Sequence, residues 1–439
     1  MISGFRRGLL RRPFLNSLSL ILAVLAAAGP ASIRAARPYR PKTVSPFLES
    51  WRWRSFPELS GKGVRCMAEG RDGSMWFGVD GGVIHYDGLE WKTYGKPDGL
   101  PEADVRGIVV TRSGDVWIST LRGISRFSGG RWNRVLPFDI VEDVQWRHHS
   151  IVEGSDGSIW AGLRYGVLRI LKNDTLFYTT RVLLDSVKAA YPGVKAVPIP
   201  AALRFNQKSF NVNDVLDEGN GNVWIKLYGN AFYGNDVLLR FHIRRFDAEN
   251  PAAWTVFPRK GIRSRLFQTR SGILWAFTDH QNTRENAPWM KHPRTNAWKP
   301  IDFLPFGGSN LLFSMTETGD GMVVFGGAWK IITLMNGRFT VFDSKSLPVS
   351  NIMRPILHFA SNNALWLAAY QGGVYCLDMG RENWTTYSGL NFQCETKDSV
   401  EWFIDVADGV VSRKGGTWIR YTTEDGLMDA PQALLLTRT

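Results

Sequence analysis

Short apolar stretches alternate with polar turns along most of the chain. A typical stretch, Val83-Ile-His-Tyr86, is bounded by turns that are rich in Gly, Asp, Asn and Ser. Such stretches are typical of β-strands, because successive side chains of a strand point to opposite faces. The pattern predicts an all-β fold of many short strands.

One small repeat accounts for most of these strands. The segment Glu69-Gly-Arg-Asp-Gly-Ser-Met-Trp76 recurs as Glu153-Gly-Ser-Asp-Gly-Ser-Ile-Trp160 and, more loosely, at six other places. The copies end at Trp76, Trp117, Trp160, Trp224, Trp275, Val324, Trp366 and Trp402. Most intervals are close to the roughly 40–45 residues of a four-stranded propeller blade. Eight copies predict a single β-propeller of eight blades, with seven blades as the alternative.

The repeated tryptophans are predicted to be core residues. A large aromatic side chain at one position of every blade fills the space between neighbouring sheets and buries roughly 150–250 Å². The alternative is a ring of aromatic side chains that stack on sugars. Before the first copy, residues 49–56 resemble a fourth strand with no blade before it. One interpretation is that this segment completes the last sheet and so removes a bare edge. The other is that the chain is a shortened relative of a longer array.

The N-terminal residues differ from the repeats. Residues 1–31 carry four arginines, then an apolar run from Leu15 to Ala28, then small residues, which predicts a cleaved secretory signal. The run is short for a membrane span of about 20 residues, although an uncleaved anchor is the alternative. We expect a linker at 32–48, the propeller at 49–439 and insertions at 171–210 and 278–296. The first insertion is expected to form one or two helical turns at 183–190. The predicted location is the bacterial periplasm or the exterior.

The amino-acid composition restricts the classes of protein to which the chain can belong. The chain has 439 residues, of which 44% are hydrophobic and 21% charged, as in globular proteins. The net charge is +13, and about +9 remains without residues 1–31. Export argues against a nucleic-acid partner despite this charge. Three cysteines exclude a disulfide scaffold. Cys66, Cys376 and Cys394 are predicted to be buried free thiols, with a Cys66–Cys394 bridge left open.

The repeat resembles a known family. Asp-Gly-x-x-Trp-[Ile/Phe]-Gly, then Gly-[Val/Ile]-x-x-[Tyr/Phe], then Gly-x-x-Trp-x-x-[Tyr/Phe], is similar to the two-component regulator propeller repeat over about residues 51–439. The connections at 97–105 and 423–429 are similar to that family's linkers between blades. The resemblance implies the periplasmic sensor part of bacterial histidine kinases, often hybrid kinases that respond to carbohydrates. This sequence shows no second transmembrane helix, kinase or DNA-binding domain, so the family's role in signalling is expected to apply to this chain only weakly.

Candidate ligand-binding residues lie in the loops after the second and fourth strands, which share one face of a propeller. They are Arg122, His149, Arg164, Tyr165, Tyr228, His280, Arg284, Trp289, Trp329, Lys330, Tyr370 and Gln371. Aromatic rings stack on sugars, and guanidinium groups bind anions in two-point fashion. The interpretation is an exported, non-catalytic binding or sensing propeller for a carbohydrate or other polyhydroxy or anionic small molecule. The alternative is that these are ordinary solvated residues.

Two other functions stay open. One is a protein-interaction platform that acts with a membrane sensor kinase or an envelope protein. The other is a propeller lyase or hydrolase, for which His280 with Arg284 and His148 with Tyr165 are the candidate pairs. We predict no catalytic residue, metal or cofactor. The Asp residues of the Asp-Gly turns are explained by turn chemistry, and the common hydrolase, zinc and phosphate-loop motifs do not occur.

Overall fold

The structure is a computed structural model of the chain. It describes residues 37–39, 41, 44–137, 150–172, 174–203, 207–208, 210–227, 236–243, 247–259, 265–277, 284, 287–295, 297–369, 372–380, 387–407, 409–427 and 432–434. The chain divides into two compact units. The ring unit comprises Ser45–Arg381, and the second unit comprises Met1–Val44 with Glu382–Thr439.

Strands dominate both units. In chain order the first half are β1 (Arg37–Pro38), β2 (Trp53–Ser55), β3 (Cys66–Glu69), β4 (Met75–Val79), β5 (Gly82–Tyr86), β6 (Trp91–Tyr94), β7 (Val105–Val110), β8 (Val116–Thr120), β9 (Gly123–Ser128), β10 (Arg131–Pro137), β11 (Ile151–Glu153), β12 (Ile159–Leu163), β13 (Gly166–Ile170), β14 (Thr175–Thr180), β15 (Lys195–Ile199), β16 (Val212–Asp217) and β17 (Asn222–Leu227). The second half are β18 (Asp236–His242), β19 (Trp254–Arg259), β20 (Leu266–Gln268), β21 (Leu274–Ala276), β22 (Trp289–Lys291), β23 (Trp298–Pro300), β24 (Leu312–Glu317), β25 (Val323–Gly327), β26 (Lys330–Met335), β27 (Arg338–Asp343), β28 (Pro355–Phe359), β29 (Ala364–Ala369), β30 (Val374–Asp378), β31 (Leu390–Glu395), β32 (Glu401–Asp405), β33 (Val410–Lys414) and β34 (Thr417–Tyr421).

Helices are short and lie between strands, except that Thr423–Asp425 follows the last strand, β34. The α-helix α1 (Leu184–Ala190) belongs to the first predicted insertion and confirms the expected helical turns there. The 3-10 helices are Pro46–Leu48, Ser50–Arg52, Pro57–Leu59, Lys96–Asp98, Arg181–Leu183, Pro251–Ala253, Leu304–Phe306 and Thr423–Asp425. Within the part of the chain that the structure describes, no helix has the length and apolarity to cross a membrane.

Seven sheets build the ring unit. The first six are formed by β3–β6, β7–β10, β11–β15, β16–β19, β20–β23 and β24–β27. They are antiparallel, except that β15 adds a parallel fifth strand outside β14. In the seventh sheet, β28–β30 are completed by β2, because Trp53–Ser55 pair with Leu377–Tyr375 of β30. A closing strand from the N-terminal side is present as expected, but it completes the seventh sheet and not the last one, because β2 pairs with β30.

The hydrophobic core shows how these sheets are arranged. Seven clusters of buried side chains each lie between two sheets, and six of them join sheets that follow each other in the chain. The remaining cluster joins the seventh sheet to the first. In it the rings of Phe56 and Trp366 stack with centroids 4.7 Å apart, beside Phe77. The sheets therefore close a ring of seven blades.

A recurring hydrogen bond supports the same closure. A carboxylate at the end of a first strand accepts from a backbone amide in the turn of the preceding sheet. These pairs are Arg112 N to Glu153 at 2.9 Å, Ser155 N to Asp217 at 2.5 Å, Arg270 N to Glu317 at 2.6 Å and Ser361 N to Glu69 at 2.9 Å. The last pair joins the seventh sheet to the first as the others join consecutive sheets.

The eighth predicted blade lies in the second unit. Strands β31–β34 form a four-stranded antiparallel sheet, and β1 adds a fifth strand beside β34. The prediction of an all-β propeller and of eight sheets is confirmed. The closed ring itself matches the alternative count of seven blades.

The repeated position is a core position, as predicted. Trp160, Trp224 and Trp275 are at most 1% exposed. Val324, which occupies this position in the sixth sheet, is fully buried. The three cysteines lie in strands as free thiols, and Cys66 is buried. The stacking alternative for these strand positions is therefore wrong.

Candidate functional site

Two-residue turns join the second and third strands in four sheets of the ring unit. The flanking strand residues pair as Val79 with Gly82, Thr120 with Gly123, Leu163 with Gly166 and Gly327 with Lys330. The second turn residue is then Gly81, Arg122, Tyr165 or Trp329. Three predicted site residues therefore occupy one equivalent position in three blades. Equivalent turns of a ring lie on the same face, which we call the loop face.

Two of these turn residues have left-handed backbone. The φ angle is 70° at Tyr165 and 54° at Trp329. Bulky residues rarely adopt this conformation, and such outliers cluster at functional sites. Tyr165 is partly buried and packs against two core clusters. Trp329 is 51% exposed, so it presents an aromatic face to solvent.

The Trp329 turn is fixed on both sides. Its carbonyl accepts a hydrogen bond from Ser344 N at 2.9 Å, and Ala328 N donates to Leu311 O at 3.1 Å. The ammonium group of Lys330 donates to Gly307 O at 2.7 Å and lies 3.3 Å from Asp343 Oδ2. The turn is thus bonded to the connection before β24 and to the end of β27. The backbone that carries the indole is therefore fixed.

The connection before β24 is also rigid. Asp302 Oδ1 accepts from Leu304 N at 3.1 Å and from the amide of Asn310 at 2.8 Å, and Phe303 N donates to Asn310 Oδ1 at 2.8 Å. Arg284, which is 80% exposed, lies with Nε 3.3 Å from Asp302 Oδ2. The connection presents Phe306, which is 57% exposed and whose ring centroid is 5.5 Å from that of Phe339.

We call Arg284, Phe306, Trp329 and Lys330 the aromatic platform. Its two cations each have a carboxylate neighbour, Asp302 or Asp343, so it offers donors and acceptors beside its aromatic rings. The pKa of Asp343 is lowered, first by the Lys345 amide and then by Lys330, so this group is a carboxylate at neutral pH. Sequence reasoning missed Phe306. The signal was a large aromatic residue between Pro305 and Gly307 in a connection, where a side chain has few neighbours to cover it.

The third sheet holds a second pair of predicted residues. The Arg164 guanidinium lies 4.5 Å from the centroid of the Tyr165 ring. Tyr191 in the insertion donates its hydroxyl to Arg164 O at 2.7 Å, and Thr179 Oγ1 donates to Tyr165 O at 2.6 Å. The insertion therefore braces this turn. Tyr165 is more buried than Trp329 and offers less surface for stacking.

Arg122 lies in a charged network. Its backbone N–H donates to Thr120 Oγ1 at 3.1 Å, and its side chain is partly buried. The pKa of Glu102 is lowered mainly by the hydrogen bond from Lys96, 2.8 Å away, and more weakly by the Arg122 charge. Arg122 thus belongs to the second sheet, near an acidic group on the connection between the first two sheets, whereas the aromatic platform lies in the fifth and sixth sheets.

Of the remaining candidates, the structure describes only Trp289. Trp289 is the first residue of β22 and not a loop residue, and it packs partly buried against the core between the fourth and fifth sheets. The expectation that it lies in the loop is therefore corrected, because pairing with Ala276 extends the strand to include it. Five candidates lie outside the described residues, namely His149, Tyr228, His280, Tyr370 and Gln371. His148 also lies outside them. Among the described residues, no group of three His, Cys, Asp or Glu side chains is placed to hold a metal ion.

Comparisons with known proteins give a fold and no family. No protein-family model matches the chain, and no curated protein matches it. A streptogramin B lyase structure has a TM-score of 0.50 and 14% identity over 76% of this chain and 100% of its own. The extracellular domain of a hybrid two component system from B. thetaiotaomicron has a TM-score of 0.51 and 14% identity over 86% of this chain and 49% of its own.

A third structure is PorZ, a surface component of the type-IX secretion system of Porphyromonas gingivalis. It has a TM-score of 0.52 and 11% identity over 80% of this chain and 51% of its own. The chain thus spans about half the length of the last two structures. Identities this low show a shared β-propeller fold and nothing finer.

Proposed function

We propose that the protein is an exported, non-catalytic sensing propeller that binds a carbohydrate or other polyhydroxy or anionic small molecule on its loop face. The observation that carries this proposal is the aromatic platform. There half-exposed Trp329 has left-handed backbone and directly precedes Lys330, and the exposed Arg284 lies in a connection of the neighbouring fifth sheet. Rigid aromatic surface with a few fixed polar groups is the usual composition of a small-molecule site.

The chemistry of the platform favours a polyhydroxy ring. A sugar ring stacks its apolar face on an indole, while its hydroxyl groups need both donors and acceptors. The Lys330–Asp343 pair offers one of each beside Trp329. Arg284 adds a guanidinium that can donate two parallel hydrogen bonds to the carboxylate of an acidic sugar.

Export and sensing rest on other observations. Residues 1–31 have the order of charges, apolar run and small residues of a secretory signal. The repeat resembles the two-component regulator propeller repeat, and one structure similar in fold is the extracellular domain of a hybrid two component system. Together these support a role as an extracytoplasmic sensor.

The test is a thermal-shift screen of the mature chain against neutral and acidic oligosaccharides at low and high salt. A ligand at ~100 times its Kd adds about 2.7 kcal/mol of stability. We expect a salt-resistant rise in Tm with one sugar class and at least a tenfold weaker Kd for Trp329→Ala. Loss of an aromatic stacking contact typically costs about 1.4 kcal/mol or more of binding free energy, which corresponds to a tenfold change in Kd.

Trp51→Ala is the matched control. Trp51 is 53% exposed but lies in the 3-10 helix before β2, away from the platform residues in the chain. Its replacement should leave ligand affinity unchanged. Equal losses in both variants, or no shift with any sugar in a folded sample, would refute the proposed site.

A protein-interaction platform that acts with a membrane sensor kinase or an envelope protein is the second candidate. The exposure of both Phe306 and Trp329 favours it, because aromatic residues are enriched in interfaces. If no sugar shifts Tm, this candidate predicts that the immobilised wild-type protein retains an envelope protein on a column. The Trp329→Ala variant should fail to retain it, whereas the Trp51→Ala variant should retain it.

For a lyase or hydrolase, the candidate histidines His148 and His280 lie outside the described residues, and nothing further supports that function.

A further inference from the structure

Each sheet of the ring buries one particular pair of residues against the sheet before it. The residue that follows the repeated position pairs with an apolar residue of the first strand, as Phe77 does with Met67 and Leu367 with Leu357. In all seven sheets, both members of the pair belong to the core cluster shared with the preceding sheet. The first-strand members are between 2% and 9% exposed.

The eighth sheet has the same pair but not the same burial. Phe403, which follows Trp402, pairs with Phe392 of β31, and their ring centroids lie 5.6 Å apart. Phe403 is 8% exposed, whereas Phe392 is 58% exposed. The position that a preceding sheet covers in every blade of the ring is therefore exposed to solvent in the eighth sheet.

Other apolar side chains surround Phe392. Leu390 lies on the same face, because residues two apart in a strand point the same way, and the Trp418 ring centroid lies 5.3 Å from that of Phe403. Val406, which is 70% exposed, lies beside the start of β31, since its N–H donates to Gly389 O at 2.9 Å. We call this surface the exposed blade face and define it by Leu390, Phe392, Phe403 and Trp418.

The charges on the exposed blade face are balanced. Glu401 and Asp405 lie on the same side of β32 as Phe403. Arg413 Nη1 is 3.1 Å from Glu401 Oε2, and Arg420 Nη2 is 3.2 Å from Asp405 Oδ2. A face with two cations and two carboxylates is complementary to itself, because a two-fold rotation can bring a cation of one copy against a carboxylate of the other.

We propose that the exposed blade face is the interface of a two-fold dimer, in which the eighth sheet of a second copy covers Phe392. Face-to-face packing of sheets is how this chain buries the equivalent position in the ring. The ring sheets of a second copy cannot take this place, since each already packs against two neighbours. A two-fold interface also closes with two copies, and an aromatic residue at its centre is a typical energetic hot spot.

The dimer is independent of the proposed ligand site. The exposed blade face lies in the second unit, whereas the aromatic platform lies in the ring unit. Either proposal can therefore fail without the other.

Sedimentation velocity of the mature chain, over concentrations from about 1 to 100 μM, tests the dimer. We expect the sedimenting mass to rise from that of one chain to that of two. Phe392→Asp should weaken the dimer Kd at least tenfold, because it places a charge in the buried centre of the interface. Leu89→Asp is the control, since Leu89 is 90% exposed in a turn of the first sheet, and it should leave the dimer Kd unchanged.

A charge reversal gives a second test, which also serves if circular dichroism shows that Phe392→Asp does not fold. Arg413→Glu leaves the face with one cation and three carboxylates, so two copies repel each other. The dimer should weaken at low salt and recover partly in about 0.5 M sodium chloride, where these charges are screened. Combining Arg413→Glu with Glu401→Arg restores the balance and should restore the dimer.

Three results would overturn the proposal. The first is a wild-type chain that stays monomeric over the whole concentration range, and the second is equal dimerisation of the Phe392→Asp and Leu89→Asp variants. The third is a mass that grows beyond two chains with concentration, because that would indicate head-to-tail stacking and not a two-fold dimer.

Discussion

A cation or a histidine lies against the repeated tryptophan in each of the first four sheets. The residue opposite it on the third strand is His85, Arg126, Arg169 or Arg240, at 4.1, 5.6, 5.0 and 5.6 Å from the indole ring. The guanidiniums of Arg126 and Arg169 also pair with Asp115 and Asp156 in the turns before the second strand. These carboxylates therefore link the turn to the third strand and, through the arginine, to the buried tryptophan.

The sequence predicted only part of this residue-scale arrangement. Turn chemistry was predicted and is present, since Ser74 N donates to Asp72 Oδ1 at 3.1 Å. The pairing of acid, cation and indole was not predicted. It depends on which third-strand residue lies opposite the tryptophan, and that follows from strand register and not from the turn motif.

The thiols give a prediction at the same scale. Burial raises the pKa of Cys66 from 9.0 to about 12, so its thiolate is about a thousandfold rarer than in an unfolded chain at neutral pH. We expect iodoacetamide at about pH 8 to leave Cys66 unmodified in the folded protein, while partly exposed Cys394 reacts. Peptide mass spectrometry measures the modification. Full labelling in urea is the control, and rapid native labelling of Cys66 would contradict the buried environment.

At the scale of elements, local signals were predicted well and long-range pairing was not. The connections at 97–105 and 423–429 resemble each other in sequence. In both, an Asp side chain caps a 3-10 helix, Lys96–Asp98 or Thr423–Asp425, and a left-handed Gly99 or Gly426 follows. By contrast, the pairing of β2 with β30 joins segments that are 300 residues or more apart. The repeat pattern predicted a closing strand but assigned it to the last sheet, whereas it completes the seventh.

The hydrogen bond between Ser361 and Glu69 joins the seventh sheet to the first, and a substitution of Glu69 tests what it contributes to ring closure. The pKa of Glu69 is lowered from 4.5, first by His358 and, against the effect of burial, by Ser361. A lowered folded-state pKa stabilises the fold above the unfolded value and loses this effect as pH falls through the folded value. Glu69→Gln should therefore lower the free energy of unfolding by about 1–2 kcal/mol at pH 7, and by less at a pH well below 4.5.

Urea unfolding at several pH values measures this difference. Glu90→Gln is the control, because Glu90 is an exposed carboxylate next to the same sheet. It should leave the free energy of unfolding nearly unchanged at each pH. If the two variants behaved alike, the bond between Ser361 and Glu69 would not contribute to closure.

At the scale of the whole molecule, counting repeats predicted the number of sheets and not the membership of the ring. A repeat motif reports that a blade-like sheet forms, and Trp402 marks such a sheet in the second unit. Ring closure depends on which sheets bury their faces against each other. That information lies in contacts such as Phe56 with Trp366, which no local pattern contains.

The ring unit should therefore fold by itself. Residues 45–381 contain all seven core clusters and the closing strand β2, so no buried face of the ring is left without its neighbour. We expect this fragment to unfold in one cooperative thermal transition, followed by circular dichroism. A fragment of residues 60–381 lacks β2 and the buried Phe56 and Leu59, which are 4% and 1% exposed. Its Tm should be lower by several degrees, because deleting one large buried side chain alone costs about 3–5 kcal/mol. Equal stability of the two fragments would show that β2 does not close the ring, and an unfolded 45–381 fragment would show that the ring needs the second unit.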